Sequence, residues 1–215
     1  VMSATPRRAR SAEAKQERER AILEAARTLA TARSVREVTL TDVAAEVGMH
    51  KSAMLRYFET REQIFLALTA ECWRDWTADI RASWDTAPPE VVLARSFASR
   101  PLFCDLLAHT PLNLERNVSF ETVHAYKLTS LAAVRVVAGD LSRLLGVSDQ
   151  QAYDLVATAA GLAGALWQMA APGTRLREFY ESEPDLAHAI VDVEPRLIRV
   201  LGAMVAGFRS PTAAR

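Results

Sequence analysis

The segment from Thr39 to Ile64, TLTDVAAEVGMHKSAMLRYFETREQI, leaves its backbone few choices. Thr39 can N-cap a helix, with Asp42 completing a capping box, and Leu40, Val43, Ala44 and Val47 supply one apolar face. Gly48 permits the positive-φ turn that ends this helix and reverses the chain. The stretch from His50 to Arg56 starts at that turn and mixes Lys51, Ser52 and Arg56 with an inward Met54. Thr60 and Gln63 then form a second capping box and open a further helix. Two short helices around a glycine turn, followed by a capped helix, predict a helix-turn-helix whose second helix enters a DNA major groove.

The ordered set Thr39, Val43-Ala44, Val47-Gly48-Met49-His50, Met54-Leu55-Arg56-Tyr57-Phe58 and Arg61 resembles the signature of the TetR family of bacterial transcriptional regulators. That motif covers about a quarter of the chain; the remainder agrees in length and helical character. The resemblance implies a sequence-specific DNA-binding regulator, most simply a homodimeric repressor released from a palindromic operator by a small-molecule effector.

Composition agrees with a folded protein. The 215 residues are 50% hydrophobic, enough for one or two domains with a sizeable core. Formal net charge is zero, which excludes a nonspecific nucleic-acid coat. Residues 1–65 hold 12 Lys/Arg against 9 Asp/Glu, and residues 66–215 hold 14 against 17, so a modest basic bias sits at the DNA-binding end. Cys72 and Cys104 lie in apolar surroundings without metal or redox spacing and are expected as buried, reduced thiols. No secretory h-region is seen, and the apolar stretch Leu155–Ala171 falls short of the roughly 20 residues a spanning helix needs. A cytoplasmic protein without a membrane partner is expected.

The fold class expected is all-α: an N-terminal three-helix DNA-binding head with the helix-turn-helix, linked by a long fourth helix to a helical effector-binding and dimerisation body. Residues 1–12, with Arg7, Arg8 and Arg10, form a flexible basic arm or a solvated tail; residues 13–65 form the head, 66–210 the body and 211–215 a tail. The first helix runs from Glu13 to about Ala32, and the fourth from Thr60 towards Trp84, stopped by Pro88-Pro89. Short helices are expected over 91–98, 101–108 and 111–117. A long helix follows over 119–145, with Leu128, Leu131, Leu141 and Leu144 inward and Gly146 at its end. Ser148 and Gln151 open the next helix, which ends before Pro172-Gly173, and Pro195 leads the last one to Phe208.

Gly161, Gly164 and Ala165 leave one side of the 156–168 helix without bulk, and the last helix carries Leu197, Leu201 and Met204. Together they predict half of a four-helix bundle completed by a second subunit, although an intramolecular core explains the same pattern. Large side chains with scattered polar groups, Trp73, Trp76, Phe97, Phe103, His109, Asn113, His124 and Trp167, could wall a pocket for a small hydrophobic or aromatic effector. An ordinary aromatic core is the alternative.

On the DNA side, Lys51 can reach guanine or phosphate, Ser52 either, and Ala53 or Leu55 can pack on a thymine methyl, with Arg56 beside them. The resemblance implies that Thr41 faces the groove, that Tyr57 and Arg61 meet phosphate, and that Thr39 both caps and donates to phosphate. His50 stands where a Ser or Thr cap is usual, Leu55 replaces a tyrosine, and Arg61 replaces a lysine. The four histidines show no HExxH or HxxxH pairing, and no GxSxG, GxGxxG or Walker loop is present, so neither catalysis nor a metal or other cofactor is expected. A regulator whose body answers to a protein partner, or only dimerises, is the runner-up.

Overall fold

The computed structural model describes residues 6–169 and 174–210, with side chains from Ala12 onward, and every regular element described is helical. The head comprises α1 (Pro6–Ala32), α2 (Leu40–Glu46) and α3 (Lys51–Met54), and α4 (Arg61–Arg81) links it to the body. The body contains α5 (Pro89–Ala98), α6 (Pro101–His109), α7 (Phe120–Leu145), α8 (Asp149–Met169), α9 (Arg175–Ser182) and α10 (Val193–Arg209). Residues 1–5, the side chains of Arg7, Arg8 and Arg10, the Pro172-Gly173 stop and the tail 211–215 lie outside the described residues.

Several boundaries differ from expectation for identifiable reasons. Helix α1 begins at Pro6, so residues 6–12 of the expected arm are helical; proline suits a first turn, where its missing N–H has no partner to lose. Helix α4 ends at Arg81, and the chain tightens into a 3₁₀ turn over Trp84–Thr86. Pro88 and Pro89 then begin α5, with Pro88 as its N-cap residue. The expected helix over 111–117 is instead one π-helical turn, Thr110–Leu114, continuing α6; Glu115 N–H bonds to Thr110 O at 3.1 Å. Pro111 supplies no N–H there, and the wider turn accommodates it.

In the head, Ile22, Ala26, Val35, Val38, Val43, Ala44 and Met54 are buried, in one hydrophobic cluster with the core of the body. In the body, α8 is the central helix, packed on α5, α6, α7 and α10, while α4 lies against both α1 and α7. Close packing of α8 on α6 depends on Gly164, where an added Cβ would stand 2.8 Å from the backbone nitrogen of Ala108. The inward face of α7 is Tyr126, Ala133, Val134, Val137, Ala138, Leu141 and Leu145. Leu128 and Leu144, expected inward, are exposed. Leu141, also expected inward, is buried, and Ala133, Val134, Val137 and Ala138 share that face with it. No described helix is long and apolar enough to cross a membrane.

Candidate nucleic-acid interface

Three caps fix the helix-turn-helix. At α2, Thr39 Oγ1 accepts the Asp42 N–H at 3.2 Å, while Asp42 Oδ2 accepts the Thr39 N–H at 2.8 Å and its hydroxyl at 2.7 Å. The Thr39 hydroxyl hydrogen is therefore committed to Asp42, and donating to a phosphate would mean redirecting it. These donors hold the Asp42 carboxyl below its ordinary value, the Thr39 N–H contributing most. Helix α2 closes with Gly48 at φ +64, with Met49 N–H bonding to Ala44 O at 2.8 Å and Gly48 N–H to Ala45 O at 3.1 Å. That is a Schellman closure, and only its left-handed residue requires glycine.

His50 N-caps α3 in place of the usual hydroxyl: its Nδ1 accepts the Ser52 N–H at 3.4 Å and lies 2.8 Å from Ser52 Oγ. With Nδ1 accepting, the neutral ring carries its proton on Nε2, a donor available to a phosphate. Helix α3 is a single turn, anchored by Met54, which has no exposed surface. Around that anchor, Thr41, His50, Lys51, Ser52, Leu55 and Arg56 are exposed, and Ala53 and Tyr57 half-buried. Lys51 and Arg56 have no ion-pair partner among the described residues. The arrangement offers two cations, a hydroxyl, an imidazole N–H and an apolar tip within one turn of helix and its ends.

Arg61 is placed differently from the phosphate anchor expected of it. Its Nε donates to Val38 O, its Nη2 to Val35 O and its Nη1 to Glu62 at 3.0 Å, while its Cζ lies 4.7 Å from the centre of the Phe65 ring. The guanidinium is turned inward onto the α1–α2 turn.

The expected effector wall is largely a packed cluster. Trp73 meets Trp76 edge-on at 5.4 Å and Phe103 at 5.1 Å, and Trp76 stacks on Phe97 at 4.8 Å. Both indole N–H groups are satisfied inside the chain, Trp76 by Ser96 Oγ at 2.8 Å and Trp73 by Tyr126 OH at 3.2 Å. His109 is buried against Asp105, Asn113 lies half-buried on the π turn, and His124 is exposed on α7, away from the cluster. Phe103 and Trp167 reach open crevices: Phe103 lines one of about 360 Å³ with Arg27, Cys72 and Leu102, and Trp167 lines one of about 350 Å³ with Leu166, Val191 and Val193. Both cysteines are buried, which pushes the Cys72 thiol up to about 11 and that of Cys104 up to about 12.

Of the residues expected between subunits, Gly164, Leu197 and Leu201 are enclosed within the chain, where α8 and α10 bury them against α5 and α6. Gly161 and Ala165 are exposed on α8 and Met204 is half-buried on α10. Residues the sequence did not single out join head to body. Glu59 accepts the Ser119 N–H at 3.0 Å and the Thr122 hydroxyl at 3.0 Å, and Asp105 accepts the Val35 N–H at 2.7 Å. The one sequence signal was a carboxylate inside the apolar run PLFCDLLAH.

Residues 22–68 match the family described as bacterial regulatory proteins, tetR family, and residues 70–212 match the tetracyclin repressor-like C-terminal domain. Among solved structures, the transcriptional regulator FadR from Bacillus subtilis, in complex with stearoyl-CoA, has a TM-score of 0.58 at 14% identity, over 87% of this chain and 97% of that one. The fatty acid degradation regulator FadR from Bacillus halodurans has a TM-score of 0.56 at 13% identity, over 88% and 98%. Thermus thermophilus FadR, a TetR-family transcriptional repressor in complex with lauroyl-CoA, has a TM-score of 0.54 at 19% identity, over 92% and 100%. These likenesses are likenesses of fold. No curated protein sequence matches the chain.

Proposed function

The chain belongs to the TetR family and is a DNA-binding transcriptional regulator, not an enzyme; on that premise we propose a cytoplasmic homodimeric repressor, released from a palindromic operator by a small molecule that binds its body. The observation that carries the DNA-reading part is the exposed set Lys51, Ser52, Leu55 and Arg56 around the buried Met54. Lys51 and Ser52 read base edges, Ala53 and Leu55 pack on thymine methyls, and Thr41, His50, Arg56 and Tyr57 hold the backbone. Thr39 and Arg61 act behind them, holding the scaffold.

Residues 13–65 are the DNA-binding unit and 66–210 the sensing and dimerising unit in this reading. One recognition helix contacts too few bases for useful selectivity, whereas two held about 34 Å apart read a palindrome. The exposed Gly161 and Ala165 on α8, with Met204 on α10, offer a low-relief surface on which a second copy can pack closely. Leu197 and Leu201 support that surface from beneath. The crevices at Phe103 and Trp167 are where an apolar effector would enter. Two of the similar folds were solved with acyl-CoA thioesters, which makes long-chain acyl-CoA the first class to test.

A second reading has its own support. The Trp73, Trp76, Phe97 and Phe103 cluster is packed and hydrogen-bonded, so a body that only dimerises or answers a protein partner explains it as well. Selecting duplexes from random DNA with purified protein, then titrating lauroyl-CoA and stearoyl-CoA into the complex, separates the two. Release of DNA supports the sensor; DNA binding unmoved by either compound favours the second reading.

A further inference from the structure

Asp105 is an acid in an apolar helix and is 5% exposed. Burying an ionised carboxylate is unfavourable unless hydrogen bonds replace its water. Its bonds run to three places. Oδ2 accepts the Val35 N–H at 2.7 Å, 70 residues away in the head; Oδ1 accepts Gln168 Nε2 of α8 at 2.6 Å, and His109 Nε2 of its own helix lies 3.4 Å from the same oxygen. Burial pushes the Asp105 carboxyl up, but donation by His109, Val35 and Gln168 outweighs it and holds the group below its ordinary value.

Val35 is held from two sides. Its N–H goes to the body through Asp105, and its carbonyl accepts Arg61 at the start of the linker helix. Other side-chain bonds between head and body run from Arg27 of α1 to Glu71 of α4 at 2.9 Å, and from Glu59 to Ser119 and Thr122 and Gln63 to Thr122 where α4 and α7 begin. Among these attachments Asp105 is the one that ties α6 to the turn between α1 and α2, and its loss leaves that turn without a side-chain bond to α6.

We propose that Asp105 is a positioning residue that sets the helix-turn-helix at a fixed angle on the body, and thereby sets the half-site spacing that the dimer accepts. The proposal rests on the dimeric reading above. Each added base pair moves a half-site by about 3.4 Å and rotates it by about a tenth of a turn, so a rigid head rejects altered spacings that a hinged head follows.

The test uses the full chain and duplexes selected by the unaltered protein, resynthesised with the half-sites one or two base pairs closer or farther apart. Asp105→Ala removes the acceptor, and Asp105→Asn keeps one. Val35→Pro removes the donor where proline is favoured, because Val35 is the second residue of a turn closed by Glu37 N–H to Ser34 O at 3.2 Å. The expected result is a preference for one spacing of about tenfold or more in the unaltered protein, falling below about threefold in Asp105→Ala and in Val35→Pro, restored by Asp105→Asn, and no flatter in the double variant than in either single one. A sharp preference that survives in both Asp105→Ala and Val35→Pro overturns the proposal while leaving the dimeric reading intact. An unaltered protein indifferent to spacing overturns the dimeric reading itself, and the proposal with it. If Asp105→Ala does not fold, Val35→Pro alone decides.

Discussion

The guanidinium of Arg61 donates its Nε hydrogen to the carbonyl of Val38, 23 residues earlier, and so ties the start of the linker helix to the turn that precedes α2. With its Nη2 on Val35 and its Nη1 on Glu62, each nitrogen has a partner inside the chain. A lysine has no planar fork to reach two carbonyls at once. Arg61→Ala is expected to destabilise the protein by about 1.5–3 kcal/mol, the range for charge-assisted hydrogen bonds, and Arg61→Lys to recover little of it. Thermal unfolding measures the loss. Salt titration of DNA binding gives the contrast: an unchanged midpoint with a salt slope reduced by about one would mean that Arg61 holds phosphate instead.

Tyr57 and Lys51 divide the two tasks of recognition. Tyr57 is half-buried against the head core and is assigned to phosphate, whereas Lys51 is exposed at the start of α3 with no ion-pair partner among the described residues. Tyr57→Phe should weaken all duplexes alike. Lys51→Ala should reorder them, by roughly 1–3 kcal/mol at the base pair that Lys51 reads. Binding-site selection with both variants checks this, and identical sequence preferences would remove the distinction.

How much of this was legible follows the range of the interactions. The caps at Thr39, Thr60 and Ser148 and the turns at Gly48 and Gly146 involve residues three to five apart, and the structure forms them where the sequence suggested, except that Gln63 returns its side chain to the Glu59 N–H and not to Thr60. The facing of α7 was legible in part: Leu141 is buried as expected, but Leu128 and Leu144 are exposed, and Ala133, Val137 and Ala138 fill the buried face beside Leu141. Arg61, Glu59 and Asp105 act across 23, 60 and 70 residues, and no spacing rule reaches that far. A carboxylate amid Phe103, Cys104 and Leu106 was visible as an anomaly, but its partner was not.

Acid should loosen the head before it unfolds the body. Asp42, Glu59 and Asp105 are all held below their ordinary values in the folded chain: Asp42 chiefly by the Thr39 N–H, Glu59 chiefly by the Ser119 N–H, and Asp105 by His109, Val35 and Gln168 against its burial. A carboxyl with a lowered folded value adds stability that is fully present above its unfolded value, near 3.8 for Asp and 4.5 for Glu, and lost as pH falls through the folded value. Stability is therefore expected to be insensitive to these three groups at neutral pH and to decline below about pH 4. Glu59→Gln should make the decline shallower. Thermal midpoints collected between pH 3 and pH 7, roughly, test both statements.

Gly161 and Gly164 stand one turn apart on α8 and should respond oppositely to added bulk. At Gly164 a Cβ would lie 2.8 Å from the Ala108 nitrogen, and helix backbone yields little, so Gly164→Ala should cost about 1–3 kcal/mol of monomer stability by overpacking. At Gly161 nothing lies within 4 Å of the added Cβ, so Gly161→Ala should stabilise the isolated chain by about 0.5–1 kcal/mol through helix propensity. If the exposed face of α8 meets a second copy, the same open position is where bulk separates subunits. Gly161→Arg is then expected to give a folded monomer with retained helicity and weakened operator binding, as measured by analytical ultracentrifugation beside DNA titration. A Gly161→Arg protein that remains dimeric would move the subunit interface off this face of α8, because a guanidinium and its stem cannot be accommodated where two helix backbones pack closely.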